Sequence, residues 1–117
     1  MNKTYHLKKI KEIDQIFKKR VSKGSSNFVV YVGEPCLVHF RFCLSIGKKY
    51  GNAVKRNLCK RRVREIINFY KEELDKKDFV VVIKPDSRNL TYEEMKQELF
   101  TLFKKTKIIV KKGENND

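Results

Sequence analysis

The chain has 117 residues, 40% of them hydrophobic, and a formal net charge of +14 at pH 7. That length fits one domain over residues 1–117 with a modest core, and the apolar share excludes a disordered basic tail. So strong an imbalance points to a polyanion, a nucleic acid before an anionic membrane surface. No apolar run reads as a membrane span and the N-terminus lacks a signal-peptide core, so the expected setting is cytoplasmic with no membrane partner.

Thr4 to Lys9 forms a basic lead-in. The spacing of Ile10, Ile13, Phe17 and Val21 predicts a helix over Ile10–Arg20 with those residues inward, and Lys18, Lys19 and Arg20 suit its C-terminal end. Ser22 to Asn27, around Gly24, reads as a loop. Phe28 to Val32 reads as a strand, broken by Gly33-Glu34-Pro35. Val38 to Ile46 alternates as a second strand: Val38, Phe40, Phe42, Leu44 and Ile46 face a core, while His39, Arg41, Cys43 and Ser45 form a polar face open to a ligand.

The most informative stretch is Tyr50 to Leu74. Cys59, Val63, Ile66, Ile67, Tyr70 and Leu74 recur at helical spacing and form one apolar stripe. Asn57, Lys60, Arg61, Arg64, Asn68 and Lys71 form a second row beside it, about 21 Å long from Asn57 to Lys71 on a helix. Asn52 is the expected N-cap. Lys55 and Arg56 then fall in the first turn and Glu72 and Glu73 in the last, each opposed by the helix macrodipole at about 0.3–1 kcal/mol. Cations beside the free N–H groups of a helix start make a phosphate site. A solvated charged face is the ordinary meaning of a charge run, but the six cations between Lys55 and Arg64 have no acid among them.

Phe79 to Ile83 is continuously apolar, as an interior strand should be. Pro85 to Asn89 is a turn region; Thr91 opens a capping box with Glu94, and Leu90 can staple onto Met95. The helix that follows runs to about Lys105 with Met95, Leu99, Leu102 and Phe103 inward, and Gly113 to Asp117 is an expected frayed tail. Strand, helix and strand from Val38 to Ile83 read as a parallel crossover, for which general topology favours the right hand.

Cys36, Cys43 and Cys59 are odd in number and lack CxxC spacing, which fits a reducing compartment. A zinc site from Cys36, His39, Cys43 and Cys59 is disfavoured, because four residues of strand separate His39 from Cys43 by about 13 Å. The cysteines read as small packing residues. No carboxylate or histidine constellation reads as catalytic or metal-ligating, which argues against a protein-only nuclease. A DNA-reading helix would need a partner helix and short turn before it, and the central helix has neither.

Gly51-Asn52-Ala53-Val54-Lys55-Arg56-Asn57, followed by Lys60-Arg61 and Arg64-Glu65, with Lys48-Lys49 upstream, resembles the signature of the bacterial ribonuclease P protein component. The resemblance extends from Leu7-Lys8-Lys9 to the last helix; it departs at Leu58, where the family often has arginine. It implies an α+β two-layer sandwich, with helices packed on a mixed sheet of about four strands. It also implies a left-handed crossover, as in the second domain of a small-subunit ribosomal protein.

The implied function is that of the protein subunit of a ribonucleoprotein endonuclease that removes the 5′ leader from precursor tRNA. Catalysis belongs to the RNA subunit, which holds the Mg2+. Partners would be that RNA and precursor tRNA. Implied RNA-binding positions are Lys48, Lys49, Asn52, Lys55, Arg56, Asn57, Lys60, Arg61 and Arg64. The implied leader cleft, between the first helix and the sheet, comprises Phe17, Tyr31, Lys60 and Arg64; Ile13 and Ile109 stand where further aromatics are expected. By periodicity alone Phe17 reads as core, whereas Tyr31, opposite Phe28, Val30 and Val32, suits a half-open site. The other reading is a non-catalytic ribosomal or RNA-assembly protein.

Overall fold

The computed structural model describes residues 5–35 and 38–109. Among them, helices α1 (Ile10–Lys19), α2 (Ala53–Phe69) and α3 (Tyr92–Lys105) pack on strands β1 (Ser22–Gly24), β2 (Phe28–Pro35), β3 (Arg41–Ile46) and β4 (Lys77–Ile83). The sheet order is β1-β2-β4-β3. β4 runs antiparallel to β2 and parallel to β3, so the sheet is mixed and α2 lies within the β3–β4 crossover. This is the α+β architecture that the resemblance implies.

The interior position of β4 follows from its sequence: Phe79, Val80 and Val81 are fully buried although adjacent residues point to opposite faces. On one face Phe28, Val30, Phe42, Phe79, Val81 and Ile83 meet the α2 residues Cys59, Val63, Ile66 and Ile67 and the α3 residues Met95, Leu99, Leu102 and Phe103. Stacked Phe42 and Phe79 rings, 5.9 Å apart, lie in this main core. On the other face Val80 is covered by Leu7 and Ile16, with Ile13, Phe17, Tyr31, Cys43 and Val82 half-buried around them.

Several boundaries differ from the sequence reading. Ser22–Gly24 is an edge strand paired with Val29–Tyr31, because β2 offers it an unsatisfied backbone edge. β2 continues through Gly33 to Pro35 by a register shift; the proline is tolerated at a bulge. On α1 the buried residue is Ile16, while Ile10 is 75% and Val21 52% exposed. Gly33 is the reason: a Cβ there would stand 2.6 Å from Ile16 Cγ1, so α1 seats Ile16 directly on the glycine backbone. Strand β3 begins at Arg41, and Val38 is 75% exposed outside it.

The long central helix is shorter than predicted. α2 ends at Phe69, Tyr70 caps it, and Lys71–Glu73 forms a separate 3-10 turn. Glu72 and Glu73 therefore do not lie in its last turn. Tyr70 stacks on Phe100 of α3 at 5.0 Å. Leu74 is buried and bridges to Ile109, which places Ile109 in the main core and away from the α1 face. The α3 capping box is present, with the Glu94 N–H donating to the Thr91 hydroxyl and the Thr91 N–H donating to the Glu94 carboxylate. The expected frayed tail, Gly113–Asp117, lies outside the described residues.

Candidate nucleic-acid interface

Two surfaces meet along the flank of α2. The first is the basic row. Asn52 Oδ1 accepts from the Lys55 N–H at 2.9 Å and fixes the start of the helix. The first turn has no acid, and Lys55 is exposed. Arg56 is half-buried, with its Nε shielded and lacking a hydrogen-bond partner. Asn57, Arg61 and Arg64 line an open groove with Val54 and Leu58. Val54 is 78% and Leu58 38% exposed, so the family-atypical residue stands in the outer groove. Lys71 leaves the row: beyond the helix end, its Nζ sits 4.7 Å from the Tyr5 ring centroid.

Lys48 and Lys49 lie exposed on a 3-10 turn, Lys48–Tyr50, that leads into α2. The turn is held from two sides. Arg88 donates to the carbonyls of Lys49 and Tyr50, at 3.4 and 3.2 Å. On the other side Tyr50 is buried in the main core with Cys59 of α2, and burial first, then interaction with Cys59, pushes its phenol up to about 12. Burial also raises the Cys59 thiol, as it does that of Cys43. Cys59 is thus a packing residue, as read, and Cys36 lies outside the described residues.

The second surface is the cleft beside α1. Phe17 and Tyr31 rings meet edge to face at 4.8 Å, both half-buried. Cross-strand register places Tyr31 opposite Val80 and Val80 opposite Cys43, so one row of the sheet carries the cleft floor from Tyr31 toward β3. At the β3 end, Lys60 and Arg64 of α2 line a recess with Cys43 and Leu44. Arg64 lines both this recess and the outer groove, and Lys60 lines the recess.

Not all of the polar face of β3 is open. Arg41 makes a two-pronged pair with Asp78, at 2.9 and 2.7 Å, and reaches Glu12 of α1 at 3.2 Å. These bonds engage the Arg41 guanidinium between α1 and the sheet, while the Cys43 end lines the recess with Lys60 and Arg64. Sequence reasoning missed His6, Lys8 and Arg88. His6 and Lys8 line the recess beside Lys60 because the N-terminal segment pairs with β3: the Leu7 N–H donates to the Phe42 carbonyl at 2.8 Å. A single bridge of this kind has no periodic signature.

An α+β frame that sets a cationic helix flank beside a half-open aromatic cleft carries the electrostatic footprint of a nucleic-acid-binding protein. The family model for ribonuclease P matches residues 1–107, and the chain belongs to the ribonuclease P protein family. The ribonuclease P protein component of Acholeplasma laidlawii is 40% identical over 116 residues, covering 98% of this chain and all of that one. The solved RNase P protein of Staphylococcus aureus superposes with a TM-score of 0.82 at 33% identity, over 91% of this chain and 98% of that one. The protein from Thermotoga maritima gives 0.78 at 26% identity, over 86% and 96%.

Proposed function

We propose that this chain is the protein subunit of a ribonuclease P ribonucleoprotein, that it binds the catalytic RNA through the α2 flank, and that it holds the 5′ leader of precursor tRNA in the Phe17–Tyr31 cleft. The observation that carries the reading is the placement of Lys60 and Arg64, which line the recess at Cys43, on the same sheet row as Tyr31, while Arg64 also lines the outer groove with Asn57 and Arg61. One helix thereby addresses two nucleic-acid segments. Asn52, Lys55, Arg56, Lys48 and Lys49 extend the outer surface toward phosphates, and the cleft rings stack unpaired bases.

The protein positions and the RNA subunit catalyses. Magnesium ions, held mainly by that RNA, belong to the same proposal. Among the described residues no three His, Cys, Asp or Glu side chains converge, so the residues present do not form a cage for the ion and no step is assigned to them. Among the described residues no helix is long and apolar enough to cross a membrane, and the working compartment proposed is the cytoplasm.

The test is to sequence the RNA that purifies with the protein and to incubate precursor tRNA with RNA-free protein, with and without that RNA. The expected result is one dominant structured RNA and 5′ cleavage only when it is added back. Recovery of ribosomal RNA instead favours an assembly protein, and sustained cleavage by RNA-free protein contradicts the proposal.

A further inference from the structure

The strongest unassigned feature is the recess between the N-terminal segment and α2. His6 is held there twice. It forms an isolated parallel bridge with Phe42, and its ring lies 5.4 Å from the Phe42 ring. His6 Nε2 is shielded from solvent and has no hydrogen-bond partner. Around it stand Lys8 on its own segment, Lys60 and Arg64 on α2, and Cys43 on β3. Three of these four neighbours are cations, so the recess has the charge that suits an anion, and one of its polar nitrogens is unsatisfied.

We infer that this recess binds a backbone phosphodiester and that His6 is a proton-linked ligand in it, taking up a proton as the phosphate seats between Lys60 and Arg64. This inference rests on the RNA-binding reading above. The chemistry follows from the neighbours. Without an anion, a charged imidazole is opposed by desolvation first, then by Arg64 and Lys8, which hold its pKa below the ordinary value. A phosphate reverses the sign of the local field. Its negative charge beside the imidazole favours the charged form.

The sign of the linkage is fixed. The pKa is higher in the complex than in the free protein. The added affinity is therefore complete below the free value and is lost as pH rises through the bound value. Each unit by which the phosphate raises that pKa gives up to about a tenfold gain in affinity. A structural histidine packed on Phe42 would show no such coupling to an anion.

The experiment measures affinity from pH 5.5 to 8.5 at constant salt, for wild type and His6→Gln. One arm uses the RNA subunit with the protein. The other uses the reconstituted holoenzyme with non-cleavable precursor and with mature tRNA. Thermal melting confirms the fold of the variant. We expect wild-type affinity to weaken by roughly three- to tenfold across that range in one arm, and the His6→Gln profile to be flat there. A slope in the preference for precursor assigns the phosphate to the leader; a slope in the first arm assigns it to the RNA subunit.

Parallel profiles for both proteins in both arms overturn the inference. Tyr31→Ala, measured alongside, separates this failure from that of the leader reading: it reduces the preference for precursor whether or not His6 is linked. In the wild type, with no variant needed, NMR of the His6 ring should show its titration midpoint rising when inorganic phosphate is added, and a fixed midpoint counts against the site.

Discussion

Asn52 shows how one residue can be read twice. Its side-chain oxygen caps α2 by accepting from the Lys55 N–H, while its exposed position puts it among the expected RNA contacts. The two roles separate by substitution. Asn52→Ala removes the cap and should cost about 1 kcal/mol of stability. Asn52→Asp keeps a capping oxygen and suits the helix N-terminus, yet places a negative charge beside Lys55 and Arg56, where a phosphate would sit. Calorimetry should therefore find Asn52→Asp as stable as wild type or slightly more so, while its affinity for the RNA subunit falls several-fold. Unchanged affinity would leave Asn52 as a cap alone. The cap was legible in the sequence because capping is a local rule. The half-burial of Arg56 was not, since it depends on how closely the α2 flank approaches its surroundings. Phe17 was ambiguous for a similar reason: periodicity places it beside Ile13 but cannot reveal that Ile16 takes the buried position.

The error on α1 has an identifiable cause in its neighbour. Gly33 was read as a strand breaker, although β2 continues through it and uses the missing side chain to admit Ile16. The contact seats α1, the helix that carries Phe17 beside Tyr31, directly on the sheet. Gly33→Ala should destabilise the fold by about 1–3 kcal/mol through overpacking, and Ile16→Ala by about 2–5 kcal/mol through lost burial. Because Ile16 Cγ1 and Cδ1 are the atoms that an alanine Cβ at Gly33 would strike, the double variant should lose less than the sum of the two. Additive losses in denaturant melts would show that Gly33 does not position α1. Elements defined by their own periodicity were legible: β4, α3 with its capping box, and the buried stripe of α2 from Cys59 to Ile67. Edge strand β1 and the end of α2 were not, because pairing with β2 and the packing of Tyr70 on Phe100 decide them.

At the scale of the whole molecule the net charge of +14 is divided by the fold into separate jobs. Arg41 is consumed in holding α1 to the sheet through Asp78 and Glu12, Lys19 pairs with Glu34, and Arg88 braces the turn before α2. Among the described residues the α2 flank keeps a concentrated row of cations with no side-chain ion pair to an acid. Its outer part, represented by Arg61, should serve the RNA subunit, and the cleft, represented by Tyr31, should serve the leader. The partition is carried by tertiary structure: the sequence showed the row of cations, but the junction at Lys60 and Arg64 exists only when β3 and the N-terminal segment lie alongside.

The most direct test of that partition measures two folded variants, Tyr31→Ala and Arg61→Ala, in parallel. Assembly with the RNA subunit is followed as a function of salt, and holoenzyme affinity is measured for precursor and mature tRNA. Arg61→Ala should weaken assembly and flatten its log–log salt slope by somewhat under one unit, leaving the preference for precursor in place. Tyr31→Ala should leave assembly and its slope unchanged while reducing affinity for precursor by about 1 kcal/mol, the lower end of the range for a stacked base, because Ile13 adds no second ring on the same helix. An equal loss for precursor and mature tRNA in Tyr31→Ala, or an unchanged salt slope in Arg61→Ala, would contradict the account.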